Sequence, residues 1–306
     1  MAFVSPDLSD ALPLVASGKV RELYNVDSKS LLFVASDRIS AYDVIMKNGV
    51  PNKGLILTLM TAHWFQYLQT QIPDLKTHFI SLDLPSAVPK DKVPQLKGRS
   101  MLVRKLKVFP LEAIVRGYIT GSAWSSYKET GEVNGKKMPA GLQESEQFPE
   151  PIYTPSTKAE LGRHDENIST EQAAQIVGEK YAKRIEDLAL KIYKAAREYA
   201  KEKGIIIADT KLEFGLDEET DEVVLVDEVL TPDSSRFWSK AAYKVGQSQD
   251  SFDKQFLRDW LTKNGLKGKE GVSMPDDVVE ATRAKYVEAF EILTDISLQE
   301  ALQNLK

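Results

Sequence analysis

Between residues 204 and 230 two strand-like runs, Gly204–Phe214 and Val223–Leu230, flank a polar turn at Asp217–Glu222. This pattern predicts a hairpin, and its charged residues constrain the fold more tightly than any other stretch. Strand alternation puts Asp209, Lys211 and Glu213 on one face. Symmetrical pairing about the turn sets Glu213 opposite Asp227, and a one-residue slip would substitute Glu228. Directly opposed carboxylates destabilise a sheet; at about 4 Å and an effective dielectric near 20 the repulsion approaches roughly 4 kcal/mol. A divalent cation would turn that cost into a binding site, and oxygen ligands on a rigid pair suit Mg²⁺ that also bridges nucleotide phosphates. The alternative is a solvent-facing charged edge with Lys211 neutralising its neighbours. Spacing alone leaves both open.

Elsewhere the first third reads as mostly β, with strands at Lys19–Val26 and Leu31–Ser36, a helix over Leu55–Gln71, and strands at His78–Asp83 and Ser100–Val108. Pro85, Pro89 and Pro94 mark a loop, and the chain is expected to pass between lobes near Pro110. A strand at Glu112–Thr120 then runs into Gly121-Ser122 and a short helix near Ala123–Glu129. Residues 131–167 lack periodicity, and so long a loop in a compact domain is more often functional than idle. Ser169 or Thr170 starts an amphipathic helix expected to reach Lys203, stopped by Gly204. Asp250 can cap a helix over Ser251–Lys263, and Pro275 opens another over Asp276–Leu293.

The 306 residues, 42% hydrophobic and 28% charged, fit a globular chain of about two packed domains or one large one. A net charge of −5 argues against a general nucleic-acid binder, though not against small anions held by a local basic cluster. With no cysteine there is no disulfide, thiolate metal site or cysteine nucleophile, which fits a reducing compartment. Residues Met1–Asp10 lack the basic and apolar regions of a secretory signal, and no apolar run approaches membrane-spanning length, so a cytoplasmic protein is expected. Asn167-Ile168-Ser169 matches the glycosylation acceptor pattern but is read as coincidence on those grounds.

Several groups suit anions. Gly18-Lys19-Val20-Arg21 lies where a loop enters the first strand, with Lys19 and Arg21 on one face; a plain surface turn is the competing reading. The P-loop pattern is absent, because Leu55 stands where its lysine should be, and no Gly-x-Gly-x-x-Gly follows a strand. Arg116 precedes Gly117, and Gly121-Ser122 opens a helix, so an arginine fork would sit beside a helix N-terminus. Alternatively, Arg116 pairs with a nearby glutamate. Arg236 in Pro232-Asp233-Ser234-Ser235-Arg236 would stand close to any phosphate held at the hairpin. Of three histidines, His63 and His78 read as structural, and His164 in the irregular loop is the one considered for a site.

Six segments, in order, resemble the SAICAR synthetase (phosphoribosylaminoimidazole-succinocarboxamide synthase) family: Gly18–Tyr24, Ser36–Val44, Glu112–Trp124, Asp209–Gly215, Asp227–Trp238 and Ser251–Leu261. The resemblance implies an α/β (α+β type) two-lobed fold with an ATP cleft, distantly like protein kinases, and a helical C-terminal segment. Its lobes would be residues 1–110, mainly β and covering the nucleotide phosphates, and 111–306, carrying the carboxylate hairpin and terminal helices. It implies ATP- and Mg²⁺-dependent ligation of L-aspartate to a carboxylated aminoimidazole ribonucleotide, giving the succinocarboxamide, ADP and phosphate in purine synthesis. Gly18, Lys19, Val20 and Arg21 match the phosphate-covering loop, and Glu213 and Asp227 the metal and nucleotide carboxylates. Arg116, Ser122 and Arg236 match positions that hold the ribonucleotide. Asp209 and Lys211 match positions beside the reacting carboxylate, so Asp209, Lys211 and Arg236 are the catalytic candidates. Asp37, Lys158 and Arg258 match polar positions of the substrate cleft. Pro51-Asn52-Lys53-Gly54 departs from the family, where glycine often takes the second place; Asn tolerates left-handed backbone better than most residues. The partners implied are small molecules, with no nucleic acid and no membrane; oligomeric state is left open, a monomer being the simplest expectation. Competing readings are a small-molecule kinase of similar fold, a non-catalytic nucleotide-binding module, and an acidic scaffold.

Overall fold

The computed structural model describes residues 2–158 and 166–305. Strands β1 (Leu14–Ser17), β2 (Arg21–Asn25) and β3 (Ser30–Ala35) open the chain. The small hairpin β4 (Ser40–Ala41) and β5 (Val44–Ile45) precedes helix α1 (Lys53–Gln71). Then come β6 (Lys76–Thr77), β7 (Phe79–Ser81), α2 (Val93–Leu96), β8 (Ser100–Arg104) and the long β9 (Lys107–Tyr118). Helix α3 (Gly121–Thr130) leads to β10 (Glu132–Val133), β11 (Lys136–Lys137), β12 (Gln147–Tyr153) and β13 (Ser156–Thr157). Helices α4 (Thr170–Val177) and α5 (Glu179–Glu202) are followed by β14 (Ile205–Asp217), β15 (Glu222–Val226) and β16 (Ser235–Ser239). Helices α6 (Gln255–Lys263), α7 (Asp276–Thr294) and α8 (Leu298–Asn304) come last.

Among the described residues one sheet runs β1-β2-β3-β8-β7 and a larger one β12-β9-β14-β15-β6, with β13 added to β9 and β16 to β14. Strand β14 organises the larger sheet. Antiparallel β9 covers one of its edges, while β16 and then β15 share the other, pairing with Ile205–Thr210 and Glu213–Asp217 respectively. The connection from β15 to β16 fills the gap between these partners, where the Lys211 N–H donates to the Ser234 carbonyl at 2.8 Å. Helix α5 buries Ala182, Ile185, Leu188, Ala189, Ile192, Tyr193 and Ala196, the three-and-four spacing of an amphipathic helix, against this sheet. Helix α1 is apolar nearly all round and is buried between α7, α5 and the smaller sheet. A single apolar cluster passes through both sheets, so they share one core.

Several expectations need adjusting. The expected strand Ser100–Val108 is the whole of β8 plus the start of β9, and the chain changes sheet at Lys105–Leu106. Pro110 lies within β9, at a register shift against β14 between Glu112 and Val108, where a missing N–H removes no ladder bond. The long helix breaks at Gly178, whose φ of 91° and ψ of 143° belong to neither α4 nor α5. Its start is as expected: Ser169 and Gln172 form a reciprocal capping box. Residues 131–167 are not structureless, because β10 to β13 lie there. Strand β12 contains Pro149 and Pro151, which hid its strand character and which its edge position tolerates. Ser251 pairs with Trp238 as an isolated bridge, and α6 starts at Gln255. Asn52 adopts φ 67°, the left-handed conformation its place before α1 demands.

Candidate active site

The gap in the β14 edge opens into two joined cavities. The larger, about 460 Å³, lies between the two sheets. Gly18, Lys19, Val20 and Arg21, the turn between β1 and β2, form one wall, and Lys211 and Glu213 of β14 face it. Leu23, Leu31, Phe33, Leu106 and Val108 add an apolar lining. The cavity therefore offers both a cation-bearing turn and apolar side chains, the combination a nucleotide's phosphates and base require.

The carboxylates are not arranged as symmetrical pairing predicts. Glu213 stands opposite Val226, because the turn pairs Asp217 with Glu222 and so sets the register one residue away from the symmetrical expectation, and Asp227, at φ 63°, follows the last pair of the ladder. The directly opposed pair is instead Glu213 and Glu112 of β9. Lys211 bridges them, with Nζ 2.6 Å from Glu112 and 3.3 Å from Glu213, and Lys158 pairs with the other Glu213 oxygen. Arg21 pairs with Asp227 and, at 2.5 Å, with Glu228. Lys19 pairs with Asp43 near the surface. The edge is not solvent-facing: Glu213 is only 7% exposed. Burial alone would raise its pKa, but Lys211 and Lys158 hold it below the ordinary carboxylate value. Burial likewise opposes the Lys211 charge, and Glu213 and Glu112 overcome it, keeping that ammonium firmly protonated. Among the described residues no three carboxylate or histidine side chains converge as a metal cage. Glu213 and Asp227 are hard oxygen donors on one cleft, the set Mg²⁺ uses when phosphates complete its shell.

The second cavity, about 200 Å³, is lined by Arg116, Ser122, Asp209, Arg236 and Arg258. Strand pairing sets Asp209 against Arg116 on one side and Arg236 on the other. Both guanidiniums reach the same oxygen, Asp209 Oδ2, at 3.1 and 2.5 Å. Arg116 also donates to Ser122 Oγ (3.2 Å) at the start of α3 and to Thr154 Oγ1 (3.0 Å). A buried and a half-buried guanidinium on one carboxylate leave a net positive pocket beside a helix N-terminus, a site built for an anion. Burial pushes the Arg116 pKa down, whereas Asp209 pushes that of Arg236 up. Gly121 is necessary here. Its φ is 56°, and a Cβ on it would lie 2.4 Å from Arg236 Nη2.

Lys211 and Asp233 line both cavities, so the two anion sites meet at these residues. The structure thus brings together the candidates at 18–21, 158, 211, 213 and 227 in one cavity and those at 116, 122, 209, 211, 236 and 258 in the other. Asp37 lies in neither. It is buried, pairs with Arg99 at 2.9 Å and accepts from the backbone N–H of Phe3 (2.8 Å) and Gly54 (2.9 Å), which ties the start of α1 to the smaller sheet. His164 lies outside the described residues. Sequence reasoning missed Glu112, Asp253 and the buried Lys53–Asp233–Lys254 cluster. Glu112 was legible only once β9 was known to be the neighbour of β14.

The sequence matches the SAICAR synthetase family over residues 14–275. It is 60% identical over 301 residues to phosphoribosylaminoimidazole-succinocarboxamide synthase of Saccharomyces cerevisiae, covering 96% of this chain and 98% of that one. The fold superposes on the solved SAICAR synthase of Saccharomyces cerevisiae complexed with SAICAR with a TM-score of 0.89 and 57% identity, over 96% and 99% of the two chains. It also matches a SAICAR synthetase in complex with ADP, with a TM-score of 0.69, 27% identity and coverage of 92% and 98%. With its sequence, its sheets and its paired anion sites all in agreement, the chain belongs to the SAICAR synthetase family.

Proposed function

We propose that the larger cavity holds ATP and the smaller one the carboxylated aminoimidazole ribonucleotide, so that the γ-phosphoryl group and the substrate carboxylate meet at Lys211. The ligation of L-aspartate that gives the succinocarboxamide then proceeds there, as a step of purine biosynthesis. The observation that carries this reading is the sharing of Lys211 and Asp233 by the two cavities. Gly18, Lys19, Val20 and Arg21 cover the nucleotide phosphates, and the apolar lining takes the base. Arg116, Ser122 and Arg236 hold the ribonucleotide phosphate, with Arg258 beside them and Asp209 fixing both guanidiniums. Residues 1–110 and 111–306 act as two lobes around the nucleotide, and the protein works as a cytoplasmic monomer.

A carboxylate is a poor acyl donor because oxide is a poor leaving group. A carboxylate oxygen bonds the γ-phosphorus, the bond to the β–γ bridging oxygen breaks, and ADP departs with the electron pair. The aspartate nitrogen then bonds the acyl carbon, and phosphate leaves with the electron pair and, in net terms, one amine proton. The protein's task is positioning and charge neutralisation. Lys211, kept protonated by Glu112 and Glu213, supplies a fixed cation where two anions must approach. Glu213 and Asp227 would hold Mg²⁺ brought in on the phosphates, where it would neutralise their charge. Incubation with ATP, Mg²⁺ and the ribonucleotide, with and without aspartate, should give ADP and succinocarboxamide only when aspartate is present. ADP formation without aspartate would point to a kinase instead. Transfer of ¹⁸O from the substrate carboxylate to released phosphate should accompany turnover, and its absence would exclude the acyl phosphate.

A further inference from the structure

Beneath the seam of the two cavities lies a charged cluster that the reaction above leaves unused. Asp233, 2% exposed at its side chain, receives two ammonium groups on one oxygen: Lys53 Nζ at 2.7 Å and Lys254 Nζ at 3.0 Å from Oδ2. Tyr286 donates its hydroxyl to the other oxygen, Oδ1, at 2.6 Å. The carboxylate is therefore satisfied by Lys53 and Tyr286 alone, and the cluster carries one positive charge more than it needs. The two lysines are not equivalent. Lys53, the first residue of α1, has a fully buried side chain, whereas Lys254, just before α6, is 11% exposed and lines the larger cavity. Asp253 fixes its place by accepting from the N–H of Gln255 (2.8 Å) in α6 and of Phe237 (3.2 Å) in β16. Burial works against the Lys254 ammonium, Asp233 supports it and Lys53 opposes it, and on balance its pKa is pushed down.

We propose that Lys53 and Asp233 hold Lys254 as a surplus cation at the seam of the two cavities, where it meets the γ-phosphoryl group and the carboxylate that receives it. Two anions cannot approach within bonding distance unless the repulsion between them is screened, and a fixed cation in a low-dielectric cleft does this without reorganisation. Lys211 screens from the β14 side, and Lys254 does so from the α6 side. Lys254 is thus a catalytic residue. Lys53, which has no access to the cleft, is a positioning residue: by sharing Asp233 Oδ2 it loosens that carboxylate's hold on Lys254, which stands 3.0 Å away against 2.7 Å for Lys53. The inference rests on the placement of ATP and ribonucleotide proposed above.

Lys254→Met, Lys254→Arg and Lys53→Met are to be compared with the unaltered protein in aspartate-dependent ADP formation, alongside thermal melts. Each variant leaves Asp233 at least one cation, so the fold should persist. Lys254→Met should lower kcat about 100-fold or more while leaving the KM for ATP and for the ribonucleotide within about threefold. Lys254→Arg, still cationic, should recover most of the loss. Lys53→Met should lower kcat about tenfold or more by drawing Lys254 onto Asp233, although no substrate reaches residue 53. A Lys53→Met protein with normal melting and normal kcat would overturn the proposal. So would a Lys254→Arg protein as inactive as Lys254→Met, since only proton transfer through the lysine amine would then be left as its role. Absence of aspartate-dependent product from the unaltered protein would instead remove the substrate placement itself, so the two failures are distinct.

Discussion

Replacing Gly121 by alanine tests the anion pocket by displacing Arg236 without removing any charged side chain. The residue sits at φ 56°, and its Cβ would meet Arg236 Nη2 at 2.4 Å and Cζ at 2.8 Å. Left-handed backbone costs an alanine roughly 1–2 kcal/mol, and the overlap forces the guanidinium away from Asp209 Oδ2, its partner at 2.5 Å. Asp209 keeps Arg116 at 3.1 Å, so the carboxylate is not stranded and the sheet should hold. What is lost is a charged donor aimed into the cavity, worth about 1.5–3 kcal/mol in a hydrogen bond. At about 1.4 kcal/mol per tenfold, the KM for the ribonucleotide should rise roughly 10- to 100-fold. The KM for ATP should stay within about twofold, because the larger cavity is untouched. The melting temperature should fall by roughly 2–4 °C. Initial rates with each substrate varied in turn, together with a thermal melt, would measure all three. A melting temperature lowered as expected with an unchanged ribonucleotide KM would refute the assignment of Arg236 to that substrate.

Gly117→Ala should destabilise the fold by about 2–4 kcal/mol, because its Cβ would lie 1.9 Å from the Tyr193 hydroxyl that donates to the Ile207 carbonyl at 2.6 Å. Adding Tyr193→Phe to that variant should restore part of the loss in urea melts, and no recovery would show that the clash lies elsewhere. Burial pushes the His78 imidazole pKa down to about 3, whereas in the unfolded chain it titrates near 6.5. Between those values only the unfolded chain takes up the proton, so His78 makes stability fall as the pH is lowered, by about 1.4 kcal/mol per unit well below 6.5. His78→Asn should lose that part of the slope between pH 6 and 4, and equal slopes for both proteins would remove His78 as the cause. Glu213→Ala and Asp227→Ala should each lower turnover about 100-fold or more while still melting cooperatively a few degrees lower, since one breaks buried ion pairs and the other puts alanine at φ 63°; near-normal rates at saturating Mg²⁺ would refute their place at the metal. Excess EDTA should stop turnover yet leave the melting temperature of the ligand-free protein unaltered, since the cation is expected to arrive with the phosphates. A lowered melting temperature would reveal a resident metal.

Local patterns were readable where a single element accounts for them. Alternation in β14 placed Lys211 and Glu213 together, and the apolar run of α1 gave its extent to within two residues. What was hidden depends on partners distant in sequence. Glu213 faces Glu112, not Asp227, because the turn pairs Asp217 with Glu222 and so sets Val226 opposite Glu213, and because β9, about a hundred positions earlier, supplies the other neighbour. Gly178 interrupts a helix whose apolar spacing continues on both sides, so periodicity could not reveal the break. Asp37 belongs to a family-like segment, yet it serves the buried start of α1, as only its contacts with Arg99 and Gly54 disclose. Lys53 likewise looks like any helix-opening lysine until its side chain is seen fully enclosed.

The change of neighbour along one edge of β14 has a consequence for how the chain can vary. Asp209, Lys211 and Glu213 reach from the smaller cavity to the larger on one unbroken strand. At about 3.3 Å per residue, the four steps between Asp209 and Glu213 span about 13 Å. The backbone thus acts as a ruler, setting the separation of the two anion sites without help from the movement of any lobe. Insertions in surrounding loops would leave that length alone, whereas adding or removing one residue between 209 and 213 would turn half the set to the opposite face of the sheet. This segment should tolerate exchange of side-chain size at Leu212 far better than any change in count.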